Sequence, residues 1–242
     1  MSKIALCLHG LFNSSTDSSS KGEDGFLHIK KNILENHNVD VYIHSWNSDY
    51  DEKIISLYNP TDYIFETQKD FSEKIFERNL QGLHNCPRPP QNVLSHFYSI
   101  EKVFNLLYSN KQKYDVVIKA RFDLGRINRS TSGPGKLNPY PVQCINFNPK
   151  IEDNKLYMAN WQHFTMGPPD MWFYGDYEIM KKFTSIYKDI DNQFYLNSDF
   201  HKFATNIEGN VGDLSNSIAF LKWWMIEKKI WENKLTLETI WE

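Results

Sequence analysis

The chain has 242 residues, with 40% hydrophobic and 24% charged, enough for one large core or two small ones. Its net charge of −3 lacks the basic excess that non-specific nucleic-acid binding needs, which excludes that class of partner. No apolar run reaches the length of a membrane-spanning helix, and the stretch after Lys3 is too short for a secretory leader.

The three cysteines, Cys7, Cys86 and Cys144, lie far apart and form no metal spacing. Together with the missing leader they predict a reducing, cytoplasmic compartment, with peripheral contact to a membrane surface still open. Aromatic residues make up 15% of the chain, an excess that suits flat ligands and sugar faces once the core is served.

In chain order, Ile4-Ala5-Leu6-Cys7-Leu8 is a continuous apolar run ending in His9-Gly10, the pattern of a strand buried on both faces. The Ser- and Gly-rich segment 13–25 reads as a loop. A helix is expected from Phe26 to Asn36, then a second strand from Val39 to His44, followed by Ser45-Trp46-Asn47. Strand, helix and strand in this order make a right-handed βαβ unit. Lys53 to Leu57 predicts a short helix and Tyr63 to Glu66 a third strand. Asp70 and Glu73 have capping-box spacing, opening a helix through Leu80 with Phe71, Ile75 and Phe76 inward. Leu94, Phe97, Ile100, Phe104 and Leu107 mark the clearest helix, Asn92 to Ser109.

The stretch Tyr114 to Leu124 follows. Val116, Ile118, Ala120 and Phe122 alternate onto one face, and Val117, Lys119, Arg121 and Asp123 share the other. Ligands of open α/β sheets bind at the carboxyl ends of strands, so Asp123 and Arg121 mark a ligand site. An ordinary strand-end ion pair gives the same pattern. After Asp123 come a Ser-, Gly- and Pro-rich loop (128–141) and short strands at Cys144–Phe147 and Lys155–Met158. An aromatic cluster bracketed by Asp170 and Asp176 precedes a helix from Tyr177 to Ile190. A last helix is capped by Asp213 or Ser215, with Leu214, Ile218, Leu221 and Met225 inward. The reading is a single α/β domain with a mostly parallel central sheet flanked by helices. Residues 1–124 form a nucleotide-binding half, and residues 125–242 an α+β acceptor-binding half.

The chain has no GxGxxG, no GxxxxGK[ST], no GxSxG and no HExxH, which disfavours dinucleotide, P-loop, serine-hydrolase and zincin chemistry. A strand-terminal acid, a neighbouring cation and a second acidic cluster suit transfer from a diphosphate-activated donor. In such chemistry a divalent metal bridges carboxylate and diphosphate, and a second carboxylate takes the proton of the attacking hydroxyl.

The segments Lys3–Gly10, Val41–Trp46, Tyr58-Asn59-Pro60, Ser95–Ile100 and Lys119–Leu124, in that order and spacing, resemble a GT-A-type glycosyltransferase of bacterial surface polysaccharides or large DNA viruses. The resemblance implies a GT-A-like (Rossmann-like) fold, a nucleotide-sugar donor such as a UDP- or GDP-sugar, and a glycan or glycolipid acceptor. It places Asp123 at the last acid of the DxD motif, as ligand of a Mn²⁺ or Mg²⁺ ion. His9, Gly10, Trp46, Glu66, Tyr98 and Lys102 then face the donor. Asp170 is the implied base, with Asp176 as its rival. The first DxD acid is replaced by Arg121, which can itself pair with phosphate. A non-catalytic nucleotide- or glycan-binding module that keeps the fold is the alternative.

Overall fold

The structure is a computed structural model that describes residues 2–13, 21–46, 48–78, 80, 89–125, 127–128, 140–141, 144–160, 165–207, 214 and 216–237. The first half comprises β1 (Ile4–Gly10), α1 (Lys21–Ile29), which continues as a π-helical turn over Lys30–Leu34, β2 (Val39–Ser45), α2 (Asp51–Tyr58), β3 (Asp62–Phe65), α3 (Ser72–Glu77), α4 (Pro90–Ser109) and β4 (Val116–Arg121). The rest comprises the short strands β5 (Ile127–Asn128) and β6 (Tyr140–Pro141), then β7 (Leu156–Ala159), β8 (Trp172–Gly175), α5 (Tyr177–Thr184), α6 (Ile186–Gln193), α7 (Asp199–Thr205), α8 (Ser217–Glu227) and β9 (Lys234–Leu237).

Seven strands form one sheet in the order β3-β2-β1-β4-β8-β7-β9, while β5 pairs with β6 separately. Its pairings are parallel except those of β8, which runs against both β4 and β7. This is the mixed, mostly parallel α/β architecture expected from the alternation of strands and helices.

The period-two pattern explains why both faces are covered. Ala5, Cys7, Tyr42, Val117, Met158 and Phe173 point to the side packed by α4–α6 and α8. Leu6, Leu8, Val41, Ile43, Val116, Ile118 and Ala120 point to the side packed by Ile29, Ile33, Ile54 and Tyr58. The predicted α4 face, Leu94, Phe97, Ile100, Phe104 and Leu107, is buried throughout. No described helix is long and apolar enough to cross a membrane.

Several expected elements differ. Helix α1 begins inside the segment read as a loop, and its last turns widen into the π form. Asp70 makes no capping box: its Oδ1 accepts from the Ser72 amide and hydroxyl, a local turn that leaves Phe71 at the helix entry. Phe76, expected inward, is 74% exposed, because α3 ends at Glu77 after too few turns to present a continuous stripe. Cys144–Phe147 carries no strand. The helix expected from Tyr177 to Ile190 divides at Ser185. There Thr184 Oγ1 donates to the Met180 carbonyl and Ser185 Oγ to that of Lys182, diverting consecutive turns.

Helix α8 is capped by Asn216, whose Oδ1 accepts from the Ile218 and Ala219 amides; the expected caps Asp213 and Ser215 lie outside the described residues. The strands β8 and β9 and helix α7 were not anticipated: β8 is buried on both faces, so its Trp-Phe-Tyr run shows no alternation. Cys86 and most of the loops 13–25 and 128–141 lie outside the described residues.

One contact ties α1 to the end of β4. A Cβ built on Gly25 would lie 1.8 Å from the Phe122 carbonyl oxygen, in the chain leading to Asp123. Gly25→Ala is therefore expected to lower unfolding free energy by about 2 kcal/mol or more, because backbone rather than a flexible side chain must yield. Denaturant titration checks this, and a neutral substitution would show that α1 is not seated as described.

Candidate functional site

The parallel strands β1, β2, β3 and β4 all end at one edge of the sheet. This edge carries a cavity of about 470 Å³ lined by His9, Gly10, Trp46, Arg121, Asp123 and Asp170 among others. The volume suits a small ligand. Antiparallel β8 explains how the acids divide. Its lead-in residue Asp170 reaches the edge where β4 ends, while Asp176, after its last residue, falls at the opposite edge.

There Asp176 caps α5: Oδ1 accepts from the Glu178 and Ile179 amides, and Oδ2 from the Asn154 amide at 2.5 Å. Asp176 is thus placed away from the cavity, with its carboxylate engaged in holding a helix and a turn.

Arg121 is the centre of the charged end. Its Nε and one Nη donate to the two Asp123 carboxylate oxygens at 2.9 Å each, and its other Nη lies 3.5 Å from Asp170 Oδ1. Burial opposes the Arg121 charge, and the two carboxylates more than restore it. Asp170 also accepts from Ser217 Oγ at 3.4 Å, at the first turn of α8.

Beneath them lies Lys119, fully buried, its ammonium donating to the Asp170 carbonyl and lying 5.4 Å from the Phe173 ring centre. Burial pushes its pKa down to about 7, against the pull of Asp170. The alternation that put Lys119 beside Arg121 and Asp123 was visible in the sequence, but a wholly buried ammonium was not anticipated, since such charges are nearly always kept in water.

His9 lines the cavity at 1% exposure, and neither ring nitrogen has a hydrogen-bond partner among the described residues. Burial, with the positive charge of Lys119 nearby, holds its pKa well below the usual value, so the ring is neutral.

On the other side of the cavity, Trp46 stacks on Tyr98, with centroids 5.4 Å apart at 21°. The ammonium groups of Lys102 and Lys69 lie 5.0 and 5.2 Å from the Tyr98 ring centre. Tyr98, Lys102 and Glu66 do not line the cavity; they back the wall that Trp46 presents. Gln68, Asn92 and Ser95 do line it, and Gln68 Nε2 donates to Ser95 Oγ at 2.9 Å. None of these three was given a site role in the sequence, although Ser95 opens the Ser95–Ile100 segment of the resemblance. Lone amides and hydroxyls outside a motif carry no signal.

As arranged, this donor set does not suit the expected Mn²⁺ or Mg²⁺ ion. Both Asp123 oxygens are taken by the Arg121 fork, and the guanidinium fills the space between the acids where a bridging cation would act. Among the described residues no group of three His, Cys, Asp or Glu side chains is placed to hold a metal.

No family model matches this chain, and no curated protein matches it. Among solved structures, the crystal structure of mouse xyloside xylosyltransferase 1, apo form, aligns over 98% of this chain and 84% of that one. The identity is 10% and the TM-score 0.46, too remote to bear on function.

The Lys119 ammonium gives a pH signature. In the folded chain it releases its proton near 7, whereas unfolded it keeps it to about 10.4. Between those values the unfolded chain binds the extra proton, so this residue makes stability rise with pH. Relative to Lys119→Met, the wild-type melting temperature should gain steadily from pH 7 to pH 10. Parallel melting curves for both proteins would refute the buried ammonium.

Proposed function

We propose that the chain is a GT-A-type glycosyltransferase that moves a sugar from a nucleoside-diphosphate sugar to a hydroxyl of a glycan or glycolipid acceptor. The observation that carries this reading is Arg121 held between Asp123 and Asp170, in a cavity at the carboxyl ends of parallel strands. The first turns of α4 (Asn92, Val93) and α8 (Ser217) also line the cavity, and helix N-termini favour anions.

In this reading the N–H groups of Arg121 not used by the acids bind the diphosphate, and the α4 and α8 dipoles add positive potential there. Asp170 accepts the acceptor's hydroxyl proton as that oxygen bonds to the anomeric carbon. The bond to the diphosphate breaks, and its electron pair leaves on a phosphate oxygen, where Arg121 stabilises the growing charge. Asp123 aims the guanidinium. Neutral His9 offers one donor and one acceptor to the donor's hydroxyls. No step runs through a metal.

The alternative is a nucleotide- or glycan-binding module without turnover. What favours it is that both acids already face Arg121, so Asp170 acts as base only if a ligand draws the guanidinium away.

Hydrolysis of a panel of UDP- and GDP-sugars separates the two, since binding without any release of nucleotide would support the module. A nucleoside diphosphate should bind at least about tenfold more tightly than its monophosphate, with EDTA present, and Arg121→Ala should abolish the preference. Equal affinities by calorimetry would sink the diphosphate assignment. Asp170→Asn should lower turnover by about a hundredfold or more while nucleotide affinity changes only a few-fold.

A further inference from the structure

Behind the cavity wall runs a directional chain of hydrogen bonds that the proposed chemistry does not use. His44, fully buried on β2, places Nε2 2.9 Å from Glu66 Oε1 and Nδ1 2.7 Å from Ser99 Oγ. A carboxylate only accepts, so Nε2 carries the proton and Nδ1 accepts the Ser99 hydroxyl proton. The Ser99 oxygen then accepts the Gly10 amide at 3.0 Å. Gly10 has φ +101°, open to glycine alone without strain, and its carbonyl accepts the Trp46 amide at 3.2 Å. The His44 ring also meets Trp46 edge-on, with centroids 4.7 Å apart.

We propose that Glu66, His44 and Ser99 are positioning residues that fix the Gly10 peptide and the Trp46 ring for nucleotide binding, acting through this chain rather than by touching the ligand. The inference rests on the nucleotide reading of the cavity. The inner end of the chain meets two residues that line it, while its outer member, Glu66, does not line it and stays one-third exposed. The distances imitate a Ser-His-Glu nucleophile, but Ser99 is fully buried within α4 and its oxygen already holds an amide.

The test pairs solution NMR with calorimetry on the whole chain. In the wild type, ¹⁵N shifts should show His44 protonated on Nε2 and not on Nδ1, and the Gly10 amide should be protected from exchange. Glu66→Ala should speed Gly10 exchange and weaken UDP or GDP binding by about tenfold each, whereas Glu66→Gln, which can still accept from Nε2, should stay within about threefold of wild type. Ser99→Ala should lose the Gly10 protection as well.

Protonation of His44 on Nδ1 in the wild type would overturn the chain. So would unchanged exchange and affinity in Glu66→Ala, or labelling of Ser99 by a fluorophosphonate. If neither nucleotide binds the wild type, the glycosyltransferase reading falls, and the tautomer and exchange results still decide the hydrogen-bond chain on their own.

Discussion

A guanidinium between two carboxylates is what the edge of this sheet is arranged around. Arg121 uses its fork on Asp123 and its remaining edge toward Asp170, with the Lys119 ammonium buried directly beneath. Each charge is tolerable only because the others are present: removing one partner of a partly buried set leaves an uncompensated charge, typically at about 3–5 kcal/mol. With Lys119 deprotonated near neutral pH the set carries one excess negative charge, and with it protonated none. The cavity is thus close to neutral, and in the proposed reading a diphosphate on the Arg121 N–H groups not used by the acids competes with Asp170 for the guanidinium. Under the proposed function that competition would loosen Asp170 from Arg121 as a donor binds, leaving its carboxylate able to take a proton.

The reversal of β8 makes this set possible. In an all-parallel sheet the residue following a strand reaches the ligand edge and the residue preceding it does not. Because β8 runs against β4, the order inverts, and Asp170 arrives beside Arg121 while Asp176 is carried to the far edge. The sequence showed two acids around one aromatic run, and only the resemblance ranked Asp170 ahead of Asp176. Strand direction, not residue type, decides.

Much of the fold was legible because its signals are periodic. The buried run of β1, the alternation of β4 and the apolar stripe of α4 are each dictated by burying one or both faces, and all three appear where expected. The strand ends were legible too, and His9, Gly10, Trp46, Arg121, Asp123 and Asp170 do meet in one cavity. What was not legible depends on partners distant in sequence. His44 reads as a scattered histidine until Ser99, 55 residues on, and Glu66, 22 residues on, are brought to its two nitrogens. Strand β8 hides for a different reason: buried on both faces, it has no alternation to show.

The two sides of the cavity solve the problem of rigidity differently. On the β4 side, strong charges hold one another. On the β1 and β2 side, the bonds are directional, running from the Glu66 carboxylate through His44 and Ser99 to the Gly10 peptide, so each atom has one orientation. A site that must grip one part of a ligand and let charge move in another gains from that division. In the proposed reading the Trp46 wall would set where the ligand lies while the pairs around Arg121 rearrange.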